Sequence, residues 1–131
     1  MNNEFIKIIA YVPDPNDSYS ISIIKGYCER ENYNLYSICH DEDHLICEMG
    51  SPCVGQRIRG NCLVIINKLD HLGKKFVDRL GLVDRILHKY ACSLHILSKE
   101  LYSNKVNLSS FEFVINIQLS LLNYKEQMIN D

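Results

Sequence analysis

Short apolar runs alternate along the chain with segments in which apolar residues recur every three or four positions. The runs are rich in β-branched residues and predict four strands, over Phe5–Val12, Asn34–Cys39, Cys62–Asn67 and Cys92–Leu97. Pro13 ends the first run, and the third is almost wholly apolar, which is typical of parallel strands covered on both faces. The pattern therefore predicts a sheet built from strands that helices connect.

Two helices are predicted between these strands. The first begins at Asp17 or Ser18, either of which can cap it, and runs to about Glu31. The second covers Phe76–Tyr90, where one apolar stripe follows the helical period. Strands and helices that alternate in this way form a mostly parallel sheet with right-handed crossovers and helices on both faces, so we expect an α/β fold.

The last helix is predicted to open at Ser109, which would form a capping box with Glu112. Its sequence carries two apolar stripes. One stripe consists of Phe111, Ile115, Leu119 and Leu122. The other, with coiled-coil-like spacing, consists of Val114, Ile117, Leu121, Tyr124 and Met128. One stripe is enough to dock a helix on its own sheet, so the second predicts an interface with a partner chain; the alternative is a helix buried in a groove of its own domain.

Residues 40–61 show no sustained period and contain Gly50, Pro52, Gly55 and Gly60, so we expect a loop there. Thiols and imidazoles in and beside this segment suggest a tetrahedral zinc site, and the candidate ligands are Cys39, His44, Cys47 and Cys53. Against zinc, the segment has no Cys-x-x-Cys pair, and its acidic residues are typical of a solvated loop. Our first expectation is therefore that the chain holds no metal or other cofactor.

Length and composition bound the class of protein. The 131 residues suffice for one domain, and the share of charged residues (23%) and of apolar residues (47%) is that of a soluble globular protein. No apolar run approaches the ~20 residues that span a bilayer, and the N-terminus lacks signal-peptide features, so we expect a cytoplasmic protein. A net charge of −2 disfavours general nucleic-acid binding. The cysteines are expected to be free thiols, with Cys28, Cys62 and Cys92 buried.

Two motifs stand at strand ends. Tyr11-Val-Pro-Asp-Pro15 closes the first strand, and the third strand runs into a turn with the sequence Asp70-His-Leu-Gly-Lys74. This arrangement resembles the N-terminal catalytic domain of the serine recombinases, the resolvase/invertase family. The resemblance implies a three-layer sandwich around a mostly parallel four-stranded sheet of order 2-1-3-4. Family members usually carry a further helix between the second and third strands, and we expect that helix to be reduced or absent here because the region is short.

The resemblance also implies where a catalytic site would lie. In that family a serine after the first strand attacks a DNA phosphodiester, and arginines stabilise the charged transition state. The corresponding positions are occupied here by Tyr11, Pro13, Pro15, Asp70, His71 and Lys74. Tyr11 and Asp70 match the family, but Pro13 and Pro15 stand at an arginine and at the nucleophilic serine, and His71 and Lys74 stand at two more arginines. We therefore expect a degenerate member without recombinase catalysis.

Two further segments bear on catalysis. Ser18 and Ser20 follow the lost serine and could serve as a replacement nucleophile, although capping or solvent exposure explains them equally well. Asp78-Arg-Leu-Gly81 spells the family's tetrapeptide, but it lies inside the second predicted helix and is expected to be helix surface and core.

The leading functional hypothesis is a catalytically inactive, recombinase-like domain that acts through protein association. The resemblance implies a homodimer or a complex with an active serine recombinase that modulates DNA recombination, with weak DNA contact and no membrane contact. In recombinases the last helix leads to a separate helix-turn-helix domain, which we do not expect in these 131 residues. One alternative is a strand-exchange enzyme with a rearranged site. Another is a small anion- or nucleotide-binding module lined by Tyr11, Asp14, Asp70, His71 and Lys74.

Overall fold

The sheet has five strands in the computed structural model, which describes residue 5 and residues 7–50 and 62–130. The strands are β1 (Lys7–Tyr11), β2 (Leu35–Cys39), β3 (Cys62–Ile66), β4 (Ser93–Ile96) and β5 (Leu101–Tyr102). Their order is β2-β1-β3-β4-β5; the first four are parallel, and β5 pairs antiparallel with β4. The predicted order 2-1-3-4 holds for the first four strands, but the predicted count of four is wrong, because a fifth strand of two residues pairs at the edge of β4.

Four α-helices flank the sheet. They are α1 (Ser18–Glu31), α2 (Glu42–Gly50), α3 (Phe76–Asp84) and α4 (Leu108–Asn130). A π-helical turn, Arg85–Lys89, extends α3, and short 3₁₀ turns follow β3 (Leu69–Leu72) and β4 (Leu97–Lys99). The first predicted helix is confirmed, with Asp17 as its cap: the Asp17 carboxylate accepts a hydrogen bond from the backbone N–H of Ser20 at 3.0 Å.

The expected loss of the helix between β2 and β3 is wrong, because α2 occupies that place. Asp41 accepts a hydrogen bond from the backbone N–H of His44 at 2.7 Å, and two acidic residues lie in the first turn, where the helix dipole favours them. Leu45 and Met49, one turn apart, bury their side chains against the sheet. The glycines and the proline that favoured a loop stand at the end of α2 or in residues 51–61, which lie outside the described residues.

The helices form two layers around the sheet. On one face α1 packs Ile24, Tyr27 and Cys28 against side chains from β1 and β3. On the other face α2, α3 and α4 pack against the alternate residues of the same strands, among them Ile9 and Val64. Because successive strand residues point to opposite faces, β1 and β3 are buried along their whole length. The predicted three-layer α/β sandwich is confirmed.

The start of α4 differs from the prediction. The helix begins at Leu108, and its cap is Asn107, whose side-chain oxygen accepts hydrogen bonds from the backbone N–H groups of Ser109 (2.8 Å) and Ser110 (3.3 Å). The Glu112 carboxylate instead accepts a hydrogen bond from Nε2 of His88 at 2.8 Å. The capping box at Ser109 is therefore wrong, because a better cap lies two residues earlier.

The cysteines that the structure describes are all free. Cys28, Cys62 and Cys92 are buried, as predicted, and so is Cys39, whereas Cys47 is exposed. Over the described ranges, no helix combines the length and the apolar character that crossing a bilayer requires.

Candidate functional site

A cleft of about 400 Å³ opens where β1 and β3 end. We call it the β1–β3 cleft, and it is lined by Tyr11, Pro13, Glu42, Asp70, His71, Gly73, Lys74 and Asp78. Five of the six positions that the sequence singled out line it together. The exception is Pro15, which is exposed outside the lining, as is Asp14.

One wall of the cleft is the 3₁₀ turn after β3, and the packing of its two leucines determines its shape. Leu69 and Leu72 are buried in the core, so the 3₁₀ turn between them presents Asp70 and His71 to the cleft. Gly73 follows, and a side chain there would bring its Cβ to 2.9 Å from the Cβ of Asp78. The glycine is needed because α3 approaches the turn so closely.

The charge of the β1–β3 cleft is the reverse of what a phosphate needs. Among the described residues, three carboxylates, Glu42, Asp70 and Asp78, line it beside one lysine, Lys74. Arg85 forms an ion pair with Glu42 at 2.8 Å, which neutralises one of the three. Asp70 and Asp78 form no ion pair among the described residues and face a single ammonium group, so this part of the lining repels a phosphodiester more than it attracts one.

Tyr11 keeps its proton under ordinary conditions. Burial, followed by the negative charges of Glu42 and Asp41, raises the pKa of Tyr11 to about 12. A phenol with so high a pKa is not an anionic nucleophile near neutral pH.

His71 is held at the edge of the cleft by α1. Its Nε2 lies 3.6 Å from a carboxylate oxygen of Asp17, the residue that caps α1. Hydrogen bonds from Ser20 are the main cause that lowers the pKa of Asp17, so this carboxylate is ionised beside the ring. Nδ1 of His71 is buried and has no hydrogen-bond partner among the described residues. The imidazole, which the sequence resemblance matched to an arginine position, is therefore already engaged by a carboxylate.

Neither candidate replacement serine lines the cleft. Ser20 is fully buried, and its Oγ accepts a hydrogen bond from Nδ2 of Asn67 at 2.9 Å. Ser18 is exposed in the first turn of α1. No serine is among the described residues that line the β1–β3 cleft.

Sequence reasoning missed the role of Arg79, the arginine of the second tetrapeptide. That tetrapeptide lies in α3, as predicted, but the Arg79 side chain is only 2% exposed. Its guanidinium donates to the backbone carbonyls of Gly73 (2.7 Å) and Lys74 (3.4 Å) and, in a two-pronged ion pair, to Glu126 of α4 (2.8 and 3.0 Å). Glu126 lies 47 residues from Arg79 along the chain, so no local sequence pattern indicates this ion pair.

The zinc hypothesis finds no support in the described part of the chain. Cys39 is buried at the end of β2, whereas His44 and Cys47 are exposed on α2. No group of three or more potential ligands is assembled among the described residues. Cys53, the fourth candidate, lies outside them, so the hypothesis stays a prediction.

The two apolar stripes of α4 differ in burial. Phe111, Ile115 and Leu119 are buried in the core, and Leu122 packs against it. The other stripe is exposed, and we call it the α4 stripe: Val114 (38% exposed), Ile117 (44%), Leu121 (51%), Tyr124 (61%) and Met128 (60%). The α4 stripe therefore runs beside the buried stripe, and Leu121 and Val114 line grooves that α4 forms with segments next to the sheet.

Comparison with solved structures identifies the fold. The N-terminal catalytic domain of TP901-1 integrase matches with a TM-score of 0.63 at 17% sequence identity, over 95% of this chain and 99% of that one. A resolvase-family site-specific recombinase from Streptococcus pneumoniae matches with a TM-score of 0.54 at 16% identity, over 96% and 99% of the two chains. No family model and no curated protein matches the sequence. The resemblance in sequence and the match in structure agree: this chain has the fold of a serine recombinase catalytic domain.

Proposed function

We propose that this chain is a non-catalytic domain of the serine recombinase fold that works by binding another protein chain through the α4 stripe. The partner is a second copy of the chain or an active serine recombinase, and the consequence is modulation of DNA recombination. The observation that carries the proposal is the exposed apolar stripe on a helix whose neighbouring stripe already fills the core.

The size and form of the stripe support an interface. From Val114 to Met128 the helix rises about 21 Å, because each residue adds 1.5 Å. Isolated apolar side chains are common on protein surfaces, but a contiguous row is typical of an interaction site. The spacing of three and four residues also suits packing against a second helix.

The position of α4 is firmly set, which favours association. Arg79 fixes Glu126 near the end of the stripe through two hydrogen bonds, while Phe111 and Ile115 anchor the start in the core. A helix held at both ends loses little conformational freedom when it binds, so more of the contact energy appears as affinity.

The β1–β3 cleft supports the non-catalytic half of the proposal. Pro13 has neither hydroxyl nor charge, and Pro15 lies outside the lining. The remaining lining presents more carboxylates than cations, and the chemistry of phosphoryl transfer depends on the opposite balance.

Light scattering across protein concentration tests the proposal. We expect a dimer at micromolar concentration, and Leu121→Glu should shift the protein to monomer because it places a charge in the middle of the stripe. Val77→Glu is the matched control: Val77 is an exposed valine of α3, 68% exposed, outside the stripe. It should leave the oligomeric state unchanged.

The second arm mixes the protein with a serine recombinase from the same genome and measures the mass of the mixture. A mixed complex that Leu121→Glu abolishes supports association with the enzyme. If the protein is monomeric at every concentration and also forms no mixed complex, the proposal fails.

A further inference from the structure

Two buried cysteines lie side by side at the start of neighbouring strands. Leu63 of β3 is in register with Ser93 of β4, so Cys62 and Cys92, one residue earlier in each strand path, are the next pair in the same parallel register. Neighbouring strands lie ~4.8 Å apart, which falls within the Cα separation that a disulfide tolerates. Both residues are buried, and each thiol is the largest influence on the pKa of the other, which places the two sulfur atoms close together.

The surroundings favour thiolate formation at one of the pair. The Cys92 thiol is the main cause that lowers the pKa of Cys62, and the positive charge of Lys7 on β1 acts in the same direction, while burial and Glu48 oppose it. The Cys62 thiol and burial raise the pKa of Cys92, whose thiol also lies 3.5 Å from the carbonyl oxygen of Tyr90. Cys62 is thus favoured as the thiolate nucleophile, and Cys92 remains a protonated thiol until it reacts in the second step.

We propose that Cys62 and Cys92 form a reversible disulfide when a small peroxide reaches them, which makes this pair a redox modification site at the end of the sheet opposite the β1–β3 cleft. The thiolate of Cys62 attacks one oxygen of the peroxide, the O–O bond breaks, and a sulfenic acid forms on Cys62 while hydroxide leaves and takes up a proton. The Cys92 sulfur then attacks the sulfenic sulfur, loses its proton, and expels the second oxygen as water. Two thiols and one hydrogen peroxide give one disulfide and two waters.

The disulfide closes a loop that contains a wall of the β1–β3 cleft. The chain between the two cysteines includes the turn with Asp70 and His71 and the whole of α3. A cross-link at its base restricts the unfolded chain and therefore stabilises the folded form. Thiol reductant restores the pair, since exchange with a small thiol opens a disulfide.

The test treats the full-length protein with hydrogen peroxide and follows intact mass and peptide maps. We expect the loss of two hydrogen atoms, a cross-linked peptide that contains Cys62 and Cys92, and recovery of the original mass with dithiothreitol. The oxidised protein should also melt at a temperature higher by roughly 5 °C than the reduced protein. Cys62→Ser and Cys92→Ser should each abolish the cross-linked peptide, whereas Cys28→Ser, which removes a buried thiol of the other layer, should leave it intact.

Two outcomes would overturn the proposal. In one, peroxide oxidises the exposed Cys47 while Cys62 and Cys92 stay reduced. In the other, Cys62 is found cross-linked to a different cysteine. Circular dichroism shows whether the serine variants are folded. If a variant is not folded, the peptide map of the oxidised wild-type protein still tests the cross-link.

Discussion

At the scale of single residues, Arg79 is the most constrained charge that the structure describes. A guanidinium that is 98% removed from water keeps its charge only if its donors are satisfied, and here carbonyl oxygens and a carboxylate satisfy them. The ion pair with Glu126 differs in this respect from the pair between Arg85 and Glu42, both of whose side chains are more than a third exposed. The two pairs should therefore differ in their contribution to stability.

We predict that Glu126→Ala lowers the free energy of unfolding by about 2–3 kcal/mol, because it leaves a buried guanidinium short of two acceptors. Glu42→Ala, which removes the carboxylate of the exposed pair, should cost less than about 1 kcal/mol. Urea denaturation of the two variants measures both. Equal losses would mean that the Arg79 pair is no more than a surface ion pair.

His95 is the second residue whose surroundings set a measurable property. It is fully buried in β4, where Nδ1 meets the Tyr27 hydroxyl at 2.9 Å and Nε2 meets the side-chain oxygen of Asn104. Burial is the main cause that lowers the pKa of His95 from 6.5 to about 4; the hydrogen bond to Asn104 opposes this shift, and the positive charge of Lys105 adds to it. The folded protein therefore binds a proton at His95 less readily than the unfolded chain does.

The sign of the pH dependence follows from that difference. Above about pH 6.5 the imidazole is neutral in both states, and the folded protein has its full stability. As the pH falls towards 4, the imidazole is protonated in the unfolded chain but stays neutral in the folded protein, so the free energy of unfolding decreases. Between about pH 6.5 and pH 5 the loss is about 2 kcal/mol.

We predict this loss for the wild-type protein in urea denaturation at about pH 7 and about pH 5, a window that lies above the titration of Asp17 and Glu126, whose pKa values are lowered. His95→Gln, which keeps polar atoms in the site but does not titrate, should be less stable at pH 7 and should lose much less on acidification. The same slope in both proteins would remove His95 as the cause.

At the scale of elements, the start of α4 offers a direct comparison of two candidate caps. Asn107→Ala should lower the free energy of unfolding by about 1 kcal/mol, because two backbone N–H groups lose their acceptor. Ser109→Ala, at the residue that the sequence pattern favoured, should change it by less than about 0.5 kcal/mol. Thermal denaturation of the two variants decides between them, and a larger loss in Ser109→Ala would contradict the observed cap.

The elements that the sequence predicted are those whose signal is local and long. Cys62–Ile66 is apolar throughout because both faces of β3 are covered, and α1 shows its cap and its stripe within fifteen residues. The apolar stripe of α2 has only two fully buried members, Leu45 and Met49, and glycines follow it closely. β5 has two residues and exists only because β4 lies beside it. Elements such as these, which depend on packing against distant residues, have a local sequence pattern too weak to predict them.

At the scale of the whole molecule, the position of the candidate cleft was predictable and its charge was not. Parallel strands place their carboxyl ends at one edge, so Tyr11 and Asp70 had to lie close together. Glu42 and Asp78 come from α2 and α3, and their place in the lining depends on how those helices pack. The role of Arg79 depends on packing between α3 and α4 in the same way.

Covalent trapping tests the chemistry of the whole cleft. We predict no covalent adduct when the protein meets suicide-substrate DNA that carries the site of a serine recombinase from the same genome. Pro15→Ser should also form none, because no arginine is among the described residues that line the cleft and that lining remains rich in carboxylates. The active recombinase on the same DNA is the positive control, and an adduct with either form of this protein would show that the cleft is catalytic.

Arg79 gives the cleft and the α4 stripe a common support. One guanidinium holds the main chain of Gly73 and Lys74 on one side and Glu126 on the other. A partner that moved α4 away from α3 would separate Glu126 from Arg79. The Arg79 guanidinium would then lie without its carboxylate directly behind the cleft wall. The two surfaces thus share one buried side chain, so a displacement of α4 would also release the main chain of Gly73 and Lys74 at the edge of the cleft.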